Sequence, residues 1–238
     1  MSATGGDGTT GTGPRETADR IAGELRTPRS AAVAGIIFAL ILGTVIVLFR
    51  SAGPAASGGD ESWLTDEGRR RTVSLAMNLV PFAGIAFLWF IGVLRARLGA
   101  REDKLFATVF LGSGLLFVAL LFTGSSVLGA VLTLESQGGP LSSESVALAQ
   151  AITAALVGTF GARMAAVFTL SATTAALRTG AVPRWIAIVG YVVALVLLLS
   201  PPITGWVQLL FPGWVLLVSV FILVASGPSS PHPDPTEA

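Results

Sequence analysis

Cysteine is absent from this chain, which excludes disulfides, thiolate nucleophiles and cysteine-ligated metals. Histidine occurs once, as His232 in a proline-rich tail, so no apolar segment can supply an imidazole for haem, zinc or general base chemistry. Lysine also occurs once, as Lys104, and the remaining basic residues are arginines. Charged residues make up 12% of the 238 residues, against about 25% in soluble globular domains. A net charge of +1 gives no basic field for nucleic acid. No GxxxxGK[ST] loop is present, which removes nucleotide hydrolysis by that route. No apolar run holds two carboxylates, which argues against a proton relay or a carboxylate-bridged metal. No nucleophile–base pair is on offer, so an enzyme is not expected, and neither is a cofactor or metal.

What the chain has instead is apolar sequence, 52% of its residues, gathered into six runs. They are Ala31–Phe49, Thr72–Leu94, Leu105–Leu134, Val146–Leu177, Trp185–Leu199 and Trp206–Ala225. Crossing a hydrocarbon core of about 30 Å takes about 20 helical residues. The expected fold class is therefore all-α, an integral membrane bundle of six transmembrane helices over residues 31–226. The first 30 residues form a disordered and juxtamembrane N-terminus in which Arg15–Arg29 suits a short helix, and residues 227–238 form a disordered tail. The first run is too long and too far from the start for a signal peptide, although the five-span alternative, with that run cleaved or peripheral, stays open. The fifth run is short, with Pro183 and Arg184 placed to start its helix. Ser62–Arg71 suits a short interfacial helix with Trp63 at headgroup level.

Arginine and lysine concentrate in cytoplasmic loops. The gap after the second run carries Arg95, Arg97, Arg101 and Lys104, and that after the fourth carries Arg178 and Arg184. The gaps after the third and fifth runs carry neither residue. This alternation puts both termini in the cytoplasm of a bacterial plasma membrane. Arg50, Arg69, Arg70 and Arg71 run against it, in a first loop assigned to the outside. The Arg95–Lys104 loop is suited to anionic lipid.

Arg163 lies near the middle of the fourth run, where an ionised guanidinium costs about 2.5–3.5 kcal/mol on insertion scales. Such a residue is expected to face the bundle interior or a wet cavity. Its candidate partners are Glu135, Asn78 and Gln150, and Ser74 joins Asn78 in a stripe four residues apart on the second run. Gln208 is a weaker polar site at the start of the sixth run. Ala154, Gly158 and Ala162, with Ser125 and Gly129, have the spacing that lets helix backbones approach. Gly112-Ser113-Gly114 matches the serine motif of rhomboid proteases over three residues only, and lacks a base. Trp89, Trp185, Trp206 and Trp214 read as interfacial anchors.

Two stretches carry a resemblance. NLVPFAGIAFLWFIGVLRARLG with FATVFLGSGLLF (Asn78–Gly99, Phe106–Phe117) resembles a group of uncharacterised actinobacterial polytopic membrane proteins. RTGAVPRWIAIVGY (Arg178–Tyr191) resembles a helix–loop–helix junction of small bacterial membrane proteins. The resemblance implies a membrane bundle and brings no activity or site residue. The expected function is a non-enzymatic accessory or scaffold subunit that packs against a membrane protein partner or a second copy. The alternative is a small transporter or channel using Arg163 in a cavity lined by Asn78, Ser74 and Gln150.

Overall fold

The computed structural model describes residues 28–54, 62–98, 104–200 and 205–225. Residues 1–27, 55–61, 99–103, 201–204 and 226–238, with the expected juxtamembrane helix, Arg101 and the tail, lie outside the described residues. Within them the protein is all-α. Helix α1 spans Pro28–Ala52, α2 Ser62–Thr65, α3 Glu67–Leu98, α4 Lys104–Ser136 and α5 Ser143–Thr153. The chain continues without a break through a π-helical segment, Ala154–Gly161, into α6, Ala162–Arg178. Helix α7 spans Arg184–Leu199, and a 3₁₀ turn, Gly205–Leu209, leads into α8, Leu210–Ala225.

Five stretches are long and apolar enough to cross a membrane: Ser30–Ala52, Glu67–Arg95, Ala107–Ser136, Ser143–Arg178 and Trp206–Ala225. The expected fifth span is different. At 16 residues α7 is about 24 Å long at 1.5 Å per residue, short of the hydrocarbon thickness. Pro183 stands at its N-cap as expected, and the chain turns extended at Ser200, ahead of Pro201. The described bundle therefore holds five long apolar helices and one shorter apolar helix.

Helix α3 begins at Glu67, so Arg69–Arg71 form its opening turns and do not belong to a separate interfacial helix. Arg71 pairs with Glu67 one turn back, at 2.6 Å. Trp63 does not face outward. It is fully buried in a cluster with Val73, Leu128, Val131 and Val146, and this cluster ties α2 to α3, α4 and α5. A burial this complete places the indole inside the protein, and its Nε1 has no hydrogen-bond partner among the described residues.

Helix α1 packs along α3 and α8; α3 continues to α4, α4 to the π segment and α6, and α6 and α8 hold α7 between them. The five long helices meet at a phenylalanine cluster to which each contributes: Phe38 (α1), Phe87 (α3), Phe117 (α4), Phe168 (α6) and Phe211 (α8). Phe87 is the hub. Its ring centroid lies 4.5 Å from Phe38, 5.0 Å from Phe168, 5.4 Å from Phe117 and 5.6 Å from Phe211. Most of these rings meet tilted or edge-on, the geometries that the ring quadrupole favours.

Hydroxyls in the spans are mostly spent locally. Ser113, Thr123, Ser126, Thr133 and Thr169 each donate to the carbonyl one turn back. That satisfies a polar group in a dry medium without a partner helix. Ser113 of the Gly-Ser-Gly motif is thus a structural residue, and Gly114 beside it admits Phe168 and Ile91. Other hydroxyls act between elements: Thr153 Oγ1 donates to the Gly124 carbonyl at 3.1 Å, and Thr174 meets the Tyr191 hydroxyl at 3.1 Å.

Candidate functional site

The helices alternate in direction, so the ends of α1, α4 and α7 share one end of the bundle with the starts of α3, α5 and α8. At that end the long helices diverge around a cavity of about 230 Å³. Leu42, Val45, Leu121, Leu128 and Val157 supply apolar wall, and Phe117 and Phe211 of the aromatic cluster supply the floor. Polar groups come from Arg50, Ser125, Gln150, Thr153 and Gln208, with no carboxylate among the described lining residues. For comparison, a dry engineered cavity of about 150 Å³ binds benzene.

The small residues define this space. Ala154, Gly158 and Ala162, one turn apart, line the cavity together with Ser125. The expected close approach of backbones falls elsewhere. Gly124 is the tight position, where an added Cβ would stand 2.6 Å from Val157, whereas Gly129 has open space around it. The π-helical segment covers Ala154–Gly161, so the widened turn faces the cavity; such segments recur at functional sites.

Gln150 is the one residue of the expected polar site that lies here. Its Nε2 is sealed from solvent and has no acceptor among the described residues. Arg163 is absent from the lining, although its neighbour Ala162 is part of it. Arg163 Nη1 instead donates to the Thr159 carbonyl, 2.9 Å away in its own helix, and no ion pair joins it to Glu135 among the described residues. The Thr159 carbonyl also accepts the Ala162 backbone N–H, so the guanidinium shares an acceptor at the end of the π segment. Asn78 and Ser74 do not reach the cavity either: Asn78 is exposed on the outside of α3, and Ser74 is half-buried.

Because the Arg163 bond lies within one helix, it survives when helices separate. Arg163→Met is expected to shift bundle stability by less than about 1 kcal/mol and to leave cavity occupancy within twofold, read by unfolding in bilayers and by ligand binding. Loss of binding in this variant would return Arg163 to the site.

A second cavity of about 350 Å³ lies at the opposite end, beyond the phenylalanine cluster, between α3, α6, α7 and α8. Thr173 and Trp214 line it, and Thr173 Oγ1 and Trp214 Nε1 have no hydrogen-bond partner among the described residues. Trp214 is buried, at 4% exposure, and is not the interfacial anchor its position suggested; Trp89, Trp185 and Trp206 are exposed. The bare backbone of Gly190 lets the Trp214 indole and the Thr173 side chain in against α7, which is what draws the tryptophan inward. Of the basic loop, Arg95 is exposed, and the side chains of Arg97, Arg101 and Lys104 lie outside the described residues. No cluster of metal-ligating side chains occurs among the described residues.

No protein-family model matches the chain, and comparisons with curated proteins and with solved structures find no match. The class that the fold supports is a helical bundle with five helices fit to cross a membrane.

Proposed function

We propose that this chain is a non-enzymatic multi-pass protein of a bacterial plasma membrane that holds a small apolar or amphipathic molecule within its ring of helices, as a small transporter or as a binding subunit. One observation carries the reading: an apolar cavity with a few convergent polar groups, lined by the five long helices. The second cavity, beyond the aromatic floor, supports a route in two compartments separated by phenylalanine rings. Both termini are assigned to the cytoplasm, and the Arg95–Lys104 loop to contact with anionic lipid. The first cavity then opens toward the outside. Ala162→Phe should fill the cavity and abolish uptake or binding while the protein accumulates normally. Unchanged transport in a folded Ala162→Phe protein would remove the reading.

Orientation has its own test, made clean by the lack of cysteine. Ser143→Cys should react with an impermeant maleimide on intact cells, and Ala181→Cys only after lysis. The reverse pattern would invert the topology.

The accessory-subunit reading retains one supporting observation: Asn78 presents an amide on the outer face of α3 with no hydrogen bond among the described residues. A carboxamide in hydrocarbon gains about 0.6–2 kcal/mol from a partner helix. Asn78→Leu should then weaken a co-purifying complex in native mass spectrometry.

A further inference from the structure

We propose that the cavity beside Arg50 takes a single-chain amphipathic anion, an alkyl carboxylate or alkyl phosphate, with its head on the Arg50 guanidinium and its chain running toward Phe117 and Phe211. The inference rests on the cavity reading above and names its ligand class.

Charge decides the head. Arg50 is the only charged residue among the described lining residues. It has no ion pair or hydrogen bond among the described residues; the arginine that does pair with a carboxylate is Arg71, at the start of α3. A guanidinium offers five donors in a planar fork that matches a carboxylate or phosphate in two parallel bonds. Gln150 Nε2 adds a sealed donor with no acceptor. The site therefore holds a surplus of donors, and an anion supplies what it lacks. A cationic head would meet the guanidinium with like charge, and a neutral alcohol would leave most of the fork unused.

Size decides the body. A cavity of about 150 Å³ admits one benzene ring, so about 230 Å³ admits one slender chain rather than a bulky ring system. The wall is aliphatic and the floor aromatic, so nothing along the chain's path asks for a second polar group.

Arg50 also stands in the last turn of α1, where a cation favours the helix dipole. That structural role predicts a small loss of stability on substitution. It does not predict a change in head-group selectivity, so selectivity is the readout.

The test uses the full chain in phosphatidylcholine nanodiscs, with tritiated octanoate as probe and octanol and octylamine as competitors. Octanol should compete at least tenfold more weakly than unlabelled octanoate, and octylamine more weakly still. Arg50→Gln should lower octanoate affinity at least tenfold and leave octanol unchanged, and Arg50→Lys should restore octanoate to within about threefold. Repeating the assay in phosphatidylglycerol discs separates the sources of the anion. A tenfold drop in octanoate affinity identifies the bilayer's own anionic lipid, entering by one chain, as the occupant; unchanged affinity identifies a free acid. Equal binding of octanol and octanoate, or full octanoate affinity in Arg50→Gln, would overturn the anion inference and leave the cavity reading standing. If none of the three molecules binds, both fail together.

Discussion

Phe87→Ala is expected to be the most destabilising single truncation in the bundle. The ring is fully buried and touches rings from each of the other four long helices. In water a buried Phe→Ala change costs about 3–5 kcal/mol, part transfer and part cavity. In a bilayer the transfer part largely disappears, because separated helices still have lipid around them. The cavity part remains: a void of about 100 Å³ at about 24 cal/mol per Å³ gives roughly 2–3 kcal/mol. Reversible unfolding in bilayers measures it, with Phe82→Ala as control. Phe82 is 60% exposed on the same helix and should change stability by less than about 0.5 kcal/mol. Phe87→Ala should also join the two cavities, seen as a raised leak of small solutes from proteoliposomes. Equal effects of the two truncations would show that the aromatic hub does not hold the helices together.

Gly35→Ala is expected to open the seam between α1 and α8. An added Cβ there collides with Ser219 Oγ and stands 2.9 Å from Phe90 Cδ2. The hydroxyl of Ser219 is fully buried with no conventional partner, resting against the glycine backbone. The side chain occupies the space that the glycine leaves free, which is what lets the two helices approach closely. Overpacking of this sort costs about 1–3 kcal/mol. Ser219→Ala removes the colliding oxygen, so the double variant should recover about 1 kcal/mol, a coupling that a double-mutant cycle in the same unfolding assay reads directly. Gly43 serves as the opposite control. An added Cβ there meets nothing within 4 Å, so Gly43→Ala should stabilise α1 by about 0.5–1 kcal/mol through helix propensity. A neutral Gly35→Ala would place the two helices further apart than the structure has them.

Much of the fold was legible in the chain because length and apolarity are properties of a segment. The long runs became helices with ends close to those expected, and the short fifth run became a helix too short to count with the others. The site was less legible. Gln150, expected as a partner of Arg163, lines the cavity without it; Arg163, the most conspicuous charge, bonds within its own helix and stays off the cavity. Arg50 was counted only as a loop charge, although its position closing an apolar run next to Gln208's end of the bundle was available as a signal. Ala154, Gly158 and Ala162 were recognised by spacing, but spacing alone does not say whether small residues bring helices together or leave a space between them.

The sequence by itself determined an all-α fold class with helices suited to hydrocarbon, and it excluded thiol chemistry, an imidazole within any apolar run and nucleotide hydrolysis through a P-loop. Which way each helix faces was decided only by tertiary structure. In water a helix marks its outer side with polar residues; in lipid both sides are apolar, so polarity carries little record of rotation about the helix axis. Ile186 is 1% exposed and Ile188 is 62% exposed, two identical residues two positions apart. Packing shape alone separates them, and the rotation of each helix about its own axis left Asn78 outward on α3 and placed Arg50 of α1 and Gln150 of α5 at the cavity.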